Sequence, residues 1–431
     1  MLSAFGRAFR TPDLRKKLLF TLGIIVLFRI GSTVPAPGVS TRAIHDCLTG
    51  NQSSSNKNLL SLVNLFSGGA LLQLSVFALG ILPYITSSII MQLLSVVIPR
   101  LERLRKEGAA GETKITQYTR YLTLALAVLQ STGIVALARS NRLIPGCTEA
   151  IIRDPSVWNT AIIVITMVAG TAVIMWFGEL ITGKGVGNGM SLLMFTSIAA
   201  RLPSQGSGIQ QAAGGVVFTL VLLLGLAIVV FVVFVEQAQR RIPVQYAKRM
   251  IGRRMYGGSS TYIPMKVNQA GVVPVIFASS LLQLPQLLGQ VWTNKTFQDF
   301  EQRYLVRGDN PLYLVTYAAL IIFFTYFYVA ITFNPVEVAD NMKKYGGFIP
   351  GIRPGRPTSE YLERVLSRIT LPGSLFLGII CVLPLALLNL TKNQQFPFAG
   401  TSVLIMVGVG LETVKQIESQ LQQRNYEGFL R

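Results

Sequence analysis

The chain has 431 residues, of which 51% are hydrophobic and only 13% charged. A soluble domain carries about 25% charged residues, so this composition excludes an ordinary water-soluble enzyme. The formal net charge of +20 would suit nucleic acid, but its placement along the chain follows membrane topology first.

A bilayer crossing takes roughly 20 apolar residues. In chain order the candidate spans are 18–35, 74–98, 118–138, 158–181, 187–203, 213–235, 269–290, 313–332, 369–389 and 398–416. The tail 1–17 is basic (Arg7, Arg10, Arg15, Lys16, Lys17), and no convincing small-residue cleavage site follows it, so the first span reads as retained. The spans form two sets of five. Five is odd, so the second half, 213–418, enters the membrane the opposite way up from the first, 18–203. Opposed halves place a shared cavity near the bilayer midplane, the plan of a conduit. The expected fold is an all-α polytopic membrane protein with ten transmembrane helices in two inverted five-helix halves. Of the 39 Lys and Arg, 28 fall on one side, ten on the other, and Arg29 lies within the first span. Cationic loops stay in the cytoplasm, which places both termini there, the tail 419–431 included.

Between the first two spans, residues 36–58 form a polar outward loop. Next comes LLSLVNLFSGGALLQL, Leu59 to Leu74, apolar but too short to cross and broken at Gly68-Gly69. It is either a half-crossing helix sheltered in a cavity, and so a movable stopper, or a lead-in turn of the second span. In that span Ile81 and Ile85 are four apart on one helix face, and Met190 and Met194 repeat the spacing in the fifth. Such pairs are packed core or lipid-facing, or they form an apolar collar that excludes ions by dewetting. Polar uncharged residues also occur in the spans, among them Thr86, Ser87, Gln92, Gln130, Asn268, Ser279 and Ser280. They bond neighbouring helices or line a weak seam between the halves. Gly183–Gly189, GKGVGNG, lacks the order of a phosphate-binding loop and reads as a flexible inward turn.

Two inward loops are long and basic. Residues 238–268 carry Arg240, Arg241, Lys248, Arg249, Arg253, Arg254 and Lys266, and Ile242, Val244 and Tyr246 alternate as a strand would. Residues 333–368 hold Gly351-Ile352-Arg353-Pro354-Gly355, a rigid turn presenting Arg353. These loops are either solvated positive-inside loops or one docking platform for RNA phosphates or an acidic protein.

Other chemistry finds little footing. His45, the one histidine, has no metal-ligand spacing around it. Glu179 and Glu412 lie near span ends rather than at mid-depth, where an ion-coupled carrier needs an ionisable group. Arg29 is the one deep charge, structural or functional. Cys47 and Cys147 fall in outward loops and Cys381 in the ninth span; all three are unpaired thiols, or the first two form a disulfide on an oxidising face. The rivals to a conduit are a small-solute transporter, an intramembrane enzyme and a scaffold without a pore. The first lacks its buried acid, the second its nucleophile and base, and the third leaves the half-crossing segment unexplained.

Asn64–Ile90, NLFSGGALLQLSVFALGILPYITSSII, resembles the SecY family, the channel subunits of the bacterial Sec protein translocase. The likeness recurs at 115–133, 185–191, 236–246, 266–280, 333–355 and 400–405, and so runs through nearly the whole chain. It implies an hourglass channel that passes unfolded polypeptide across a bacterial plasma membrane and releases apolar segments sideways into lipid, without chemistry or cofactor of its own. Motif by motif, Ile81, Ile85, Met190, Met194, Ile276 and Ile405 fall on the family's constriction ring. Two of these are Met where the family mainly has Ile, and Met is the more flexible. The resemblance places a plug at about 60–72, with Leu62, Asn64, Phe66, Ser67, Gly68 and Gly69. It places Thr86, Gln130 and Asn268 at a lateral gate. It assigns the two basic loops, with Arg240, Arg241, Lys248, Arg249, Arg253, Arg254 and Arg353, to docking of the ribosome or the motor ATPase SecA. It further implies the small subunits SecE and SecG, and signal peptides, nascent membrane proteins and lipid as the channel's company.

Overall fold

The computed structural model describes residues 9, 11–40, 42, 44, 69–71, 73–139, 151–152, 154, 156–246, 249–251, 254–256, 260–291, 310–391 and 400–429. In chain order the helices are α1 Pro12–Thr33, α2 Leu82–Val97, α3 Pro99–Lys106, α4 Ala109–Arg139, α5 Val157–Lys184, α6 Gly189–Ala199 and α7 Leu202–Gln237. The strands β1 Gln239–Tyr246, β2 Arg249–Ile251, β3 Arg254–Tyr256 and β4 Ser260–Lys266 follow. Then come α8 Val273–Val291, α9 Pro311–Thr332, α10 Pro335–Lys344, β5 Gly347–Phe348, α11 Arg356–Thr391 and α12 Gly400–Phe429.

The helix starts are written in the sequence. Proline opens the first turn of α1, α2, α3, α7, α9 and α10, where no N–H is needed. The side chains of Asn188, Asn310 and Asn334 cap α6, α9 and α10 by accepting backbone N–H bonds. Each predicted span overlaps a helix. Among the described residues, five helical stretches are long and apolar enough to cross a bilayer unaided, and α2 with α3 makes a sixth candidate broken by a 100° bend. This is a multi-pass helical membrane protein.

Several boundaries differ from expectation for local reasons. The second span does not begin at 74. Residues 73–81 are turns, with Leu74 at φ 44° and Gly80 at φ 58°, and the helix starts where Pro83 fixes the backbone. α6 has 11 residues, about 17 Å at 1.5 Å per residue, short of a crossing. α7 breaks at Gly214 (φ 80°, ψ 169°), and its apolar arm runs from there. α11 runs through Pro372 and Pro384 and begins well before 369, so the inward loop 333–368 is largely helical. α12 likewise continues into the tail expected after 418.

The two halves share four helix pairings, although α1 also packs on α5 without an equal pairing of α7 with α11. In the first, α2 lies on α4, α4 on α5, α5 on α6, and α1 on α6. In the second, α8 lies on α9, α9 on α11, α11 on α12, and α7 on α12. This equivalent order supports a duplicated unit. The halves meet where α6 packs on α12 and, more sparsely, where α8 touches α2 and α4.

Most buried hydroxyls bond their own helix rather than a neighbour. Thr86 and Ser87 donate to the carbonyls of Leu82 and Pro83, and Thr123, Thr171, Ser197, Thr325 and Thr370 do the same four residues back. Between α4 and α5 the firm polar link is ionic: Arg120 grips Glu179 through two bonds of 2.8 and 2.7 Å.

The two long basic loops fold together. β1 pairs antiparallel with β4, and β5 from the second loop adds to the other edge of β1 through Gln245↔Phe348 and Tyr246↔Gly347. Ile242 and Val244 turn inward onto Met265, Met342, Ile349 and Leu362, so the alternation read from the sequence marks a half-buried strand.

Candidate functional site: an apolar waist and a basic face

One apolar cluster joins the halves. It gathers Ile24 and Phe28 of α1, Ile89 of α2, Ile174 of α5, Leu193 and Ile198 of α6, Phe277 of α8 and Val409 of α12. Into the same cluster fall Ile81, Met190, Met194, Ile276 and Ile405, all buried, with half-buried Ile85 packed against them. Residues more than 300 positions apart in sequence thus converge in one apolar cluster.

Backbone geometry sets each contributor. On α6, Asn188 Oδ1 accepts from the N–H groups of Met190 and Ser191 at 3.1 and 3.4 Å, Thr182 Oγ1 accepts from Gly189 N at 2.9 Å, and Thr21 Oγ1 accepts from Val186 N at 3.2 Å. The turn expected to be flexible is fastened at three points. Gly178 and Gly189 let α5 and α6 touch: a methyl at Gly178 would overlap Met190 Sδ, and one at Gly189 would strike the Gly178 carbonyl. On α8, Phe277 stacks on Phe324 at 5.1 Å, and Ser279 Oγ donates to the Ile276 carbonyl at 2.9 Å. Ile81 sits just ahead of α2, and its carbonyl accepts from Ile85 N at 3.1 Å.

The approach to α2 is anchored to the chain just after α1. Ala36 N donates to Leu74 O, and Val76 N to Val34 O. Phe77 stacks on Phe28 at 5.9 Å and lies so close to Gly31 that no side chain fits there. Of the expected plug at about 60–72, Gly69, Ala70 and Leu71 are described: Gly69 lies at φ 98° against the Arg201 guanidinium, and Ala70 and Leu71 are buried. Leu62, Asn64, Phe66, Ser67 and Gly68 lie outside the described residues, as do His45, Cys47 and Cys147. Cys381 is a buried free thiol.

The three polar residues matched to a lateral gate are not bonded to one another. Thr86 lies on α2 and bonds Leu82, while Gln130 is half-buried on α4. Asn268 lies before α8 and its Nδ2 donates to Glu236 Oε2 at 2.9 Å and to the Gly271 carbonyl at 3.3 Å. Asn268 is buried, and its Oδ1 has no partner among the described residues. Glu236 closes α7, so this bond ties α7 to the turn that launches α8, just below Ile276. Sequence reasoning passed over Glu236 because it ends an apolar run and reads as a solvated boundary. Only the fold brings it to a residue 32 positions on.

On the loop face, Arg240, Arg241 and Arg353 are exposed. Arg241 lies 4.8 Å from the centre of the Tyr262 ring on the outer face of the β1–β4 hairpin. Arg353 stands between Gly351 (φ 83°) and Gly355 (φ 103°), and its carbonyl accepts from buried Thr358 Oγ1 at 2.8 Å. Arg249 and Arg254 lie on β2 and β3, while Lys248 and Arg253 lie outside the described residues. Because β5 joins β1, both basic loops belong to one folded body.

Helices of both halves meeting in one apolar cluster, with the basic loops folded together beside them, are the framework of a helical membrane channel. Residues 75–414 match the SecY family's sequence profile. The chain is 64% identical to protein translocase subunit SecY of Streptomyces galbus and 60% identical to that of Mycobacterium bovis, in each case over 100% of both chains. Among solved structures it is similar to a protein-conducting channel (TM-score 0.63, 17% identity, covering 94% of this chain and 91% of that one). It is also similar to Sec61 in the canine ribosome–channel complex from the endoplasmic reticulum (TM-score 0.61, 16% identity, 94% and 91% covered). The chain belongs to the SecY family.

Proposed function

We propose that this chain is the protein-conducting channel of a bacterial translocase, moving unfolded polypeptides across the plasma membrane and releasing transmembrane segments sideways into lipid. The observation that carries this reading is the convergence of Ile81, Ile85, Met190, Met194, Ile276 and Ile405 on one apolar cluster between the halves. A ring of such side chains closes on a threaded chain without binding it, and excludes ions when empty by refusing water. Ten crossings in two inverted halves, 18–203 and 213–418, with both termini cytoplasmic, fit the repeated packing order and the charge bias.

The segment 60–72 serves as the plug. The seam where α8 meets α2 and α4 is the lateral gate, and its sparse packing favours separation there. Thr86 and Gln130 belong to its edges. An apolar segment leaves through it because lipid solvates it better than water, by about 25 cal/mol per Å² of apolar surface. The protein performs no bond chemistry. Work comes from the partners on the basic face, SecA with ATP or the translating ribosome, through Arg240, Arg241, Lys248, Arg249, Arg253, Arg254 and Arg353. SecE and SecG complete the assembly.

Planar-bilayer conductance tests the ring. Exchanging Ile81, Ile85 and Ile276 together for Asn raises ion leakage of the resting channel; leakage equal to the parent's removes the ring from this role.

A further inference from the structure

Two arginines come together beside the turn at Gly69. Arg29 lies on α1, and its carbonyl accepts from Ser32 Oγ at 2.7 Å. Arg201 stands at the junction of α6 and α7. α1 packs on α6, and Arg201 lies within electrostatic reach of Arg29. Both are half-buried. The Arg201 guanidinium rests against Gly69, where a Cβ would lie 3.6 Å from its Nε. From Gly69 the chain folds back tightly. Ser75 N donates to the Ala70 carbonyl at 3.1 Å, and Ser75 forms a bridge with Pro35. The turn that begins at Gly69 therefore joins Arg201 to the chain just after α1.

Two buried donors here have no acceptor among the described residues: Arg29 Nη1 and Ser75 Oγ. A buried donor without an acceptor carries its full desolvation cost, larger still for a charge. Like charges brought near each other in a poorly solvated place add repulsion. The sequence supplies little to offset it. Residues 14–101 and 180–235, which hold all of these groups, contain one carboxylate between them, Asp46, and Asp46 lies outside the described residues. A water molecule accepts from such donors but leaves the repulsion in place; an anion removes both deficits. The planar guanidinium fork matches an oxyanion, which has lone pairs left over for a hydroxyl. We propose that Arg29 and Arg201, with Ser75 beside them, form a site for a small inorganic oxyanion, phosphate or sulfate, which bridges α1 to the α6–α7 junction and braces the turn at Gly69. The unpaired donors are buried, so a lipid headgroup tethered to its acyl chains does not reach them. The site involves no moving polypeptide and stands apart from the transport reading.

The test is equilibrium dialysis of the full-length protein in detergent against radiolabelled phosphate at constant ionic strength. The parent is expected to show a single saturable site for which sulfate competes. Arg29→Gln and Arg201→Gln each weaken binding about tenfold or more, as loss of a hydrogen bond to a charged group does. Phosphatidylglycerol added to the micelles leaves phosphate binding unchanged; displacement by it would hand the site to lipid and overturn the proposal. No saturable binding in the parent, or binding undiminished in both Gln variants, equally overturns it. So does binding that appears only in Asp46→Asn, which would make Asp46 the resident counter-charge. Should the Gln variants misfold, the parent decides the matter in selenate. Anomalous scattering from crystals of the full-length protein is expected to place selenium between Arg29 and Arg201, and selenium found elsewhere or nowhere contradicts the proposal.

Discussion

Single side chains carry two separable tasks here. In the proposed ring the task of Ile81, Ile85 and Ile276 is to repel water, and the conductance change expected on their exchange for Asn follows from that property alone. Glu236 and Asn268 hold the launch of α8 in place. Glu236→Ala leaves the Asn268 amide without its carboxylate, in a site where the Oδ1 already has no partner. Losing a buried bond to a charged group costs about 1.5–3 kcal/mol. The expected outcome is a lower melting temperature of the purified protein, with Glu236→Gln, which keeps an acceptor, intermediate between parent and alanine variant. Melting followed by tryptophan fluorescence in detergent checks this, and identical midpoints for all three would show that the bond contributes nothing. Ile81 and Ile85 were legible as a pair because helical spacing puts them on one face. Asn268 was not, since nothing local signals a partner 32 residues earlier.

Elements position those residues by how closely they approach. α5 and α6 touch through Gly178 and Gly189, and that contact sets where Met190 enters the waist. Gly189→Ala drives a methyl into the Gly178 carbonyl, an overpacking that typically costs about 1–3 kcal/mol. Reduced thermal stability together with a raised resting leak is the expected result; a lowered stability with an unchanged leak would detach the glycine contact from the waist. The sequence showed Gly189 only as part of a loose turn and offered no signal at Gly178, because glycine signals freedom as readily as close approach. The strand alternation of Ile242, Val244 and Tyr246 was readable, whereas the pairing of β1 with β5 from a loop some 100 residues later was not. That pairing gives the Arg353 turn a rigid mount. Arg353→Glu is therefore expected to depress motor-driven, ATP-dependent transport into vesicles while leaving membrane insertion of the protein itself intact; normal transport would discount the turn as a docking point.

At the scale of the whole molecule, the odd number of spans in each set and the distribution of cations already implied opposed halves, and the repeated packing order is consistent with that. Span ends were harder to read, because hydropathy does not distinguish a helix from the compact turns of 73–81 and does not reveal the polar extension of α11 ahead of 369. The halves share the waist cluster, so everything proposed for transport depends on a polypeptide passing between them at that level. The most direct measurement places a photoreactive residue at Ile276 and arrests a secretory chain partway through the channel. Irradiation is expected to join the arrested chain to position 276, and to do so less when the chain lacks its signal segment. An arrested chain that gives no adduct there, while lipid does, would contradict the account.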